Sequence, residues 1–287
     1  MSAAYINRPI FLNVLLLTLI CFFIPSAASG QDTGPLRIVS MAPNITRMIH
    51  DLGADHLLVG VTSFTPEAPG SAVQIVGSPA RINIEKTYSL KPLLVLAGTD
   101  CNSKSDIQAL KKLGCRIHVF NGCESFECMC NTFQELAAML GRARQAEEIL
   151  ADVRTQMNAL GSRIKGKKPL KVFWQLGDDP IVTASDKTFS GELLHRAGCL
   201  NVFGNATLNY PRVNAEEVIK LNPDVIVVVS QMGQVSRPHS WSRFKSLAAV
   251  KNRRVHEISA DLVCQPTPVM YLRGYRAVLA LLYPGII

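Results

Sequence analysis

The chain has 287 residues, of which 48% are hydrophobic and 18% are charged, and its formal net charge is +8 at pH 7. This composition excludes an intrinsically disordered chain and supplies enough apolar side chains for one large or two small packed domains. The Lys and Arg residues are dispersed and form no basic-aromatic motif, so the charge indicates a basic solvated surface and no nucleic-acid partner.

The first 30 residues have the pattern of a secretory signal peptide. Arg8 is followed by the apolar residues 11–24 and then by the small-residue stretch 25–30. This order predicts cleavage near Gly30 and export to the periplasm. A membrane anchor is disfavoured because the apolar run is shorter than the roughly 20 residues that span a bilayer. A lipoprotein signal is disfavoured because the bulky Ile20 precedes Cys21.

Apolar runs alternate with amphipathic helical stretches along the rest of the chain. The runs are rich in Val, Ile and Leu, which is typical of parallel strands that are covered on both faces. The predicted strands are residues 37–42, 57–61, 93–97, 116–120, 171–176, 225–230 and 254–258. Between them, Asn44, Ser105 and Ser190 are candidate N-caps of helices that each end before a glycine. This alternation predicts an α/β fold with mostly parallel sheets.

A long helical stretch divides the strand-rich regions into two halves. Residues 142–164 contain no Pro and repeat apolar residues at helical spacing. The predicted organisation is a signal peptide (1–30), an N-terminal lobe (31–140), a connector helix (141–167) and a C-terminal lobe (168–287). Each lobe is expected to be a Rossmann-like α/β unit.

One short pattern occurs in both halves. Asn83-Ile84-Glu85 is followed by Leu90-Lys91-Pro92 and a buried strand, and Asn214-Ala215-Glu216 is followed by Leu221-Asn222-Pro223 and another strand. This repeat at matching spacing indicates two equivalent lobes. With Asn83 and Asn214 as N-caps, Glu85 and Glu216 fall in the first helical turn, where the helix dipole favours a carboxylate. An alternative is that each lobe presents one exposed carboxylate to arginines of a partner.

The chain contains eight cysteines, and loss of Cys21 with the signal peptide leaves an odd number. Cys123, Cys128 and Cys130 lack the paired spacing of zinc sites, so a disulfide or free thiols are favoured over a metal site. Cys199 and Cys264 are a candidate disulfide pair, because export permits disulfides.

The sequence does not predict catalysis. Its six histidines are dispersed, and it contains no HExxH, GxSxG or Walker motif. We therefore expect no enzymatic role, with no catalytic residues, no cofactor and no resident metal.

From about Leu36 to Pro284, the chain resembles the helical-backbone (class III) substrate-binding proteins of ABC importers for vitamin B12, ferric siderophores and haem. The resemblance is carried by residues 37–46 (RIVSMAPNIT) and 59–62 (VGVT), by Asn83-Ile84-Glu85, and by residues 222–226 (NPDVI), 247–255 (LAAVKNRRV) and 282–284 (LYP). Within this family the chain looks most like the vitamin B12 binders.

The resemblance implies a ligand between the lobes and a permease that docks on Glu85 and Glu216. Phe64, Tyr210 and Asp261 match ligand-facing positions of the B12 binders, whereas Pro79 and Gly98 replace cleft aromatics. From its place in a predicted strand, Trp174 is either a further ligand contact or a core residue. Three arginines could serve an anionic ligand or could lie on the surface: Arg81, Arg212 and Arg237.

These observations predict a monomeric periplasmic protein that delivers cobalamin or a related corrinoid to an ABC permease–ATPase complex in the inner membrane. One alternative keeps this role and changes the ligand to haem or a ferric siderophore. Another is an exported metal or redox protein that uses Cys123, Cys128 and Cys130.

Overall fold

The structure, a computed structural model, describes residues 36–65, 72–230 and 238–286. The predicted signal peptide and Arg237 lie outside these described residues. Within the described ranges, no helix has both the length and the hydropathy that a bilayer crossing requires.

Two five-stranded sheets form the framework of the fold. The strands are β1 (Ile38–Ser40), β2 (Leu58–Val61), β3 (Gln74–Ile75), β4 (Gly77–Ser78), β5 (Arg81–Ile82), β6 (Leu94–Gly98), β7 (Ile117–Phe120), β8 (Leu170–Asp178), β9 (Ile181–Thr183), β10 (Cys199–Asn201), β11 (Val225–Val229) and β12 (Val255–Ile258). The first sheet has the order β3-β2-β1-β6-β7. The second has the order β10-β8-β11-β12, with β9 paired to β8. All of these pairings are parallel except β8–β9, and β4 and β5 form a separate antiparallel pair.

Helices connect the strands and cover both sheets. They are α1 (Pro43–Asp51), α2 (Ile84–Ser89), α3 (Lys104–Lys112), α4 (Phe126–Met139), α5 (Ala143–Ile164), α6 (Phe189–Arg196), α7 (Ala215–Leu221), α8 (Ala248–Lys251), α9 (Ala260–Val263) and α10 (Pro268–Leu282). Every residue of the central strands β6 and β11 is buried, as expected for parallel strands that are covered on both faces. The predicted α/β class with mostly parallel sheets is confirmed.

All seven predicted strands are present, and their bounds differ from the predicted ones by at most two residues. Three of the five predicted N-caps were wrong. The helices start instead from Ala42, Ser103 and Thr188, two residues before the predicted caps in each case. Pro43 at the first position of α1 has no N–H group, which reduces the need for a side-chain cap there.

The long helix α5 lies between the two sheets in sequence, where the connector was predicted. Its 22 residues span about 33 Å. Buried side chains recur along one face at helical spacing (Ala146, Leu150, Val153, Met157 and Leu160), and α5 packs against α4 and α10. Below, the N-terminal lobe is the part of the chain before α5, and the C-terminal lobe is the part after it. The domain boundaries given above remain a prediction.

Candidate ligand-binding cleft

A cavity of about 640 Å³ lies between the two lobes. The N-terminal lobe lines it with loops that follow strands β1, β2, β6 and β7. The C-terminal lobe contributes Phe189, Asn209, Tyr210 and residues 264–266. Ligands of open parallel sheets bind outside the carboxyl ends of the strands, and this cleft occupies that position in the N-terminal lobe.

Two exposed aromatic side chains line the cleft, one from each lobe. Phe64 of the N-terminal lobe is 55% exposed, and Tyr210 of the C-terminal lobe is 48% exposed. The Phe64 backbone has a φ of 69°, which is uncommon for a residue other than glycine. Its carbonyl oxygen accepts a hydrogen bond of 2.9 Å from the side-chain amide of Gln265 in the other lobe. This hydrogen bond stabilises the unusual backbone conformation of Phe64, whose ring lines the cleft.

Among the described residues that line the cleft, the acidic residues have no basic counterpart. Asp100 and Glu124 line it, and none of its described lining residues is Lys, Arg or His. Burial raises the pKa of Tyr210, with smaller contributions from Cys264, Glu124 and Asp100, although about half of the residue is exposed. Tyr210 is therefore a neutral phenol at physiological pH. The cleft is suited to ligand groups that are neutral, cationic or hydrogen-bond donors.

Hydrogen bonds between described residues join the lobes directly, and four of them are the following. The Asn209 side-chain amide donates to Glu124 Oε1 (2.8 Å), and Gln265 donates to the Phe64 carbonyl oxygen. Behind the cleft, the Thr267 hydroxyl donates to Asp51 Oδ2 (2.7 Å), and the Phe126 backbone N–H donates to Glu192 Oε2 (2.6 Å). These bonds hold the lobes at the separation that defines the cavity.

The structure places the predicted ligand contacts in three different environments. Phe64 and Tyr210 line the cleft. Asp261 is exposed in the first turn of α9 and is not among the described residues that line the cavity. Trp174 is fully buried in β8 and belongs to the hydrophobic core, so the core interpretation describes its position.

The two residues that replace cleft aromatics and two of the three candidate arginines also lie within the described ranges. Pro79 and Gly98 line the cleft, as their correspondence to cleft positions suggested. Arg81 and Arg212 are exposed and do not line it, which matches the surface interpretation of these arginines.

Sequence reasoning missed Asp100, Glu124 and Asn209. Asp100 and Glu124 follow strands β6 and β7, and the rule that ligands bind beyond the carboxyl ends of parallel strands points to those loops. Asn209 lies in the long connection between β10 and α7, and no sequence signal marked it.

The cysteines are arranged differently from the predictions. Cys123 and Cys128 form a disulfide, and Cys130 is a buried free thiol. The predicted Cys199–Cys264 pair was wrong, because both of these cysteines are free. The Cys199 thiol donates to the Ala197 carbonyl oxygen within its own lobe, whereas Cys264 lines the cleft.

The free thiols near the cleft are poor metal ligands. Burial raises the pKa of Cys101 to about 12. The pKa of Cys264 is raised to about 11 by burial of its thiol among cleft atoms and by the charge of Asp261, although the residue as a whole is exposed. Metal ions bind thiolates, so protonated thiols do not favour metal binding. In the described parts of the chain, no three His, Cys, Asp or Glu side chains are grouped as metal ligands would be.

The two glutamates of the repeated pattern lie on short helices that both start from an asparagine cap. Asn83 caps α2 and Asn214 caps α7, as predicted, and Glu85 and Glu216 are exposed in the first turns. The capping interaction in α7 uses the neighbouring Glu217 instead of Glu216. Among the described residues, neither Glu85 nor Glu216 has a hydrogen-bond or ion-pair partner, so both carboxylates are available to a partner protein.

Two α/β lobes that enclose an open cleft define a substrate-binding protein of the two-lobed class. Residues 38–262 match the family described as periplasmic binding protein, and the chain belongs to that family. Proteins of this family bind a substrate and work with ABC transporters, and they are not enzymes. The bound molecule is transported cargo and not a cofactor.

Two relatives align with most of this chain. The vitamin B12-binding protein of Vibrio parahaemolyticus is 26% identical over 255 residues, which cover 87% of this chain and 91% of that protein. An uncharacterized ABC transporter substrate-binding lipoprotein of Bacillus subtilis, YvrC, is 29% identical over 270 residues, with coverage of 90% and 84%.

Solved structures show the same fold. The periplasmic vitamin B12 binding protein BtuF of Vibrio cholerae has a TM-score of 0.73 and 26% identity, with 86% of this chain and 96% of that chain covered. The periplasmic heme binding protein HutB of Vibrio cholerae has a TM-score of 0.78 and 21% identity, with coverage of 87% and 99%. The likeness to HutB concerns the fold alone.

Proposed function

We propose that this chain is the exported, periplasmic component of an ABC importer that binds cobalamin or a related corrinoid and delivers it to a membrane permease. In this proposal residues 1–30 are a signal peptide, residues 31–140 and 168–287 are the two lobes, and residues 141–167 connect them. The mature protein acts as an unanchored monomer.

The observation that carries the ligand assignment is the charge of the cleft. Asp100 and Glu124 line it without a Lys, Arg or His among the described lining residues. A corrin ring carries uncharged amide side chains, whose N–H groups donate hydrogen bonds to carboxylates. Haem carries two carboxylates, and many siderophore complexes are anionic, so both would meet repulsion in this cleft. The names of several relatives support the same assignment.

The aromatic residues supply the second part of the recognition. Phe64 and Tyr210 are exposed on opposite lobes, where rings can cover the faces or edges of a flat macrocycle. The cavity of about 640 Å³ is smaller than a whole cobalamin, so part of the ligand extends into solvent or the lobes separate slightly. Asp261 near the exposed Cys264 would then contact the protruding part of the ligand.

Delivery depends on the carboxylates outside the cleft. In the proposal, Glu85 and Glu216 each bind an arginine of the permease through a charge-assisted pair. Their exposure, their matching positions on α2 and α7 and their lack of partners among the described residues support this role.

The alternative ligands and the alternative class have less support. A haem ligand requires an axial group, and the raised pKa of Tyr210 disfavours the tyrosinate that would bind iron. A metal site that uses Cys123, Cys128 and Cys130 would need thiolates that the disulfide and the buried Cys130 do not supply. A redox role would use the Cys123–Cys128 disulfide and leaves the exposed aromatic residues of the cleft without a function.

A retention experiment separates these ligands. The mature protein, residues 31–287, is incubated with equal concentrations of cyanocobalamin and haemin and then desalted, and the absorbance spectrum of the protein fraction is recorded. We expect the corrin spectrum at one equivalent per chain. Retention of haemin alone would move the assignment to haem, and retention of neither would reject both chromophores.

A further inference from the structure

The loop between β7 and α4 contacts the opposite lobe at two places that are close in sequence. Glu124 accepts the hydrogen bond from the Asn209 side chain inside the cleft, and the Phe126 backbone N–H donates to Glu192 Oε2 behind it. The Phe126 ring is buried and lies 5.2 Å from the Tyr271 ring of α10. The Arg196 guanidinium of α6 lies 5.3 Å from the Phe126 ring centroid.

The buried Phe126 locates the Glu124–Asn209 bond within the cleft. Two residues of extended chain span at most about 7 Å, so the Glu124 backbone lies close to the packed seam between the lobes, although the residue is exposed. The bond to Asn209 therefore crosses the cleft beside this seam. We call this hydrogen bond the cross-lobe brace.

The disulfide restrains the residue that makes the brace. Cys123 precedes Glu124 directly and is bonded to Cys128 in the first turn of α4, with 5.5 Å between the two Cα atoms. The Ser125 hydroxyl accepts from the Cys128 N–H, and the Gly122 N–H donates to the Thr99 hydroxyl. Glu124 is therefore the exposed residue of a short loop that is closed by one covalent bond and two hydrogen bonds.

The other partner of the brace is also restrained. The Asn209 carbonyl oxygen accepts from the Ser185 backbone N–H at 2.9 Å, which fixes this part of the connection between β10 and α7. Tyr210 follows directly, so the contact that holds the lobes also fixes the position of an aromatic residue of the cleft.

We infer that the Glu124–Asn209 brace sets the width of the cleft and that the Cys123–Cys128 disulfide positions Glu124 for it. This role rests on the proposed function for its effect on ligand retention, but the brace itself exists without a ligand. Loss of the brace leaves the bonds Gln265–Phe64, Thr267–Asp51 and Phe126–Glu192 in place and lets the lobes separate locally at Glu124 and Asn209.

The first test uses the ligand-free protein and is independent of the ligand assignment. Hydrogen exchange is measured by mass spectrometry on peptides that cover residues 121–130 and 205–212. We expect Asn209→Ala to raise exchange about three- to tenfold in both segments, although residues 121–130 belong to the other lobe. Asn158→Ala, on the exposed face of α5, is the matched control and should change neither segment. Unchanged exchange in residues 121–130 of Asn209→Ala overturns the brace.

The second test measures the rate of cyanocobalamin dissociation by dilution into excess competitor. Glu124→Ala and Asn209→Ala should each raise this rate about three- to tenfold, and the double variant should be no faster than either. Additive effects would show that the two residues contact the ligand separately and would overturn the inference. Glu124→Gln keeps an acceptor oxygen for the Asn209 amide and should therefore release the ligand more slowly than Glu124→Ala. If the wild type does not bind cyanocobalamin, the proposed ligand fails while the exchange test still decides the brace.

The role of the disulfide has its own variant. Cys123→Ser combined with Cys128→Ser should raise exchange in residues 121–130 and accelerate dissociation as Asn209→Ala does, whereas Cys115→Ser, a free cysteine that does not line the cleft, should not. If the double variant does not fold, wild-type protein treated with dithiothreitol gives the same comparison. The dithiol gives two electrons and two protons to the disulfide, leaving two cysteine thiols and a cyclic disulfide of the reagent. Dissociation that is unchanged in a folded protein without the disulfide would overturn its positioning role.

Discussion

The two lobes present equivalent glutamates on helices that are stabilised differently. In α2, the Asn83 side chain accepts from the Lys86 N–H, and Glu85 takes no part in the cap. In α7, Asn214 and Glu217 form a reciprocal capping box, and Glu216 points away from it. Glu85 and Glu216 are thus equivalent in position and freedom, whereas Glu217 has a structural role that has no counterpart in α2.

The lobes also contribute different chemistry to the cleft. The N-terminal lobe supplies both carboxylates of the described lining, Asp100 and Glu124. The C-terminal lobe supplies Tyr210 and the Asn209 amide that reaches Glu124. In the proposed function, the equivalent outer carboxylates suit a symmetric contact with a permease, and the unequal inner surfaces would distinguish one end of a ligand from the other.

The largest expected effect comes from removing the equivalent glutamates together. Glu85→Ala combined with Glu216→Ala should reduce transport in a reconstituted importer by at least about 100-fold, because two charge-assisted contacts are lost. The dissociation constant for cyanocobalamin should stay within about twofold of wild type. Glu217→Ala is the control in the same turn and should retain transport. A matching loss of ligand affinity in the double variant would place these glutamates at the ligand instead.

The next effect concerns the aromatic wall of the cleft. Tyr210→Ala should weaken cyanocobalamin binding about 10- to 30-fold, measured by calorimetry, because an apolar ring surface of the site is lost. Tyr88→Ala removes a similarly exposed tyrosine on α2, outside the cleft, and should leave the affinity unchanged. Equal affinities for the two variants would remove Tyr210 from the site.

A smaller effect on ligand affinity is expected when one negative charge is removed from the cleft surface of the N-terminal lobe. Asp100→Asn should weaken cyanocobalamin about three- to tenfold and strengthen haemin, because it removes one negative charge that attracts amide donors and repels carboxylates. Asp152→Asn, on the exposed side of α5, is the control for a general change of charge. If Asp100→Asn changed both affinities in the same direction, the charge of Asp100 would not distinguish the two ligands.

The capping difference predicts a stability contrast between neighbouring glutamates. Glu217→Ala should lower the free energy of unfolding by about 0.5–1 kcal/mol, because it opens the capping box of α7. Glu216→Ala should lower it by less than about 0.5 kcal/mol, as expected for an exposed residue without contacts. Urea unfolding followed by circular dichroism measures both, and the reverse order would contradict the assignment of the two roles.

The smallest effect concerns Asp51 at the seam between the lobes. Burial raises the pKa of Asp51, and the Thr267 hydroxyl and nearby His50 and Arg273 only partly offset this. The ionised form therefore costs stability above the folded-state pKa, and this cost disappears as the pH falls below the ordinary value of 3.8.

Asp51→Asn keeps an oxygen that accepts from Thr267 and removes the charge. We expect its melting temperature to exceed that of wild type by about 1–3 °C at pH 7, with the difference shrinking towards pH 4. Differential scanning calorimetry across this range makes the comparison. A variant that is less stable at pH 7 and equal to wild type in acid would reverse the sign and contradict the account.

The sequence predicted the sheets well because continuous apolar runs are a strong local signal. The strands β6 and β11 are buried on both faces, and their composition alone distinguishes them from loops. The short strands β3, β4 and β5 were not predicted, since two residues carry no periodicity. Cap positions such as Ser105 were displaced because several nearby hydroxyl groups can each start a helix.

The candidate site was only partly predictable. Phe64 and Tyr210 were found through the family resemblance, and both line the cleft. Glu124 and Asn209 meet across 85 positions of sequence, and the Cys123–Cys128 disulfide was one of several possible pairings. Such contacts depend on how the lobes pack, which local sequence patterns do not encode.

Calorimetric titration of the mature chain, residues 31–287, with cyanocobalamin tests whether the cleft binds a corrinoid. We expect one site per chain with a dissociation constant below about 1 µM and a clear preference over haemin. An absence of binding to cyanocobalamin together with one-to-one binding of haemin would contradict it, and the charge of the cleft would then have misidentified the ligand.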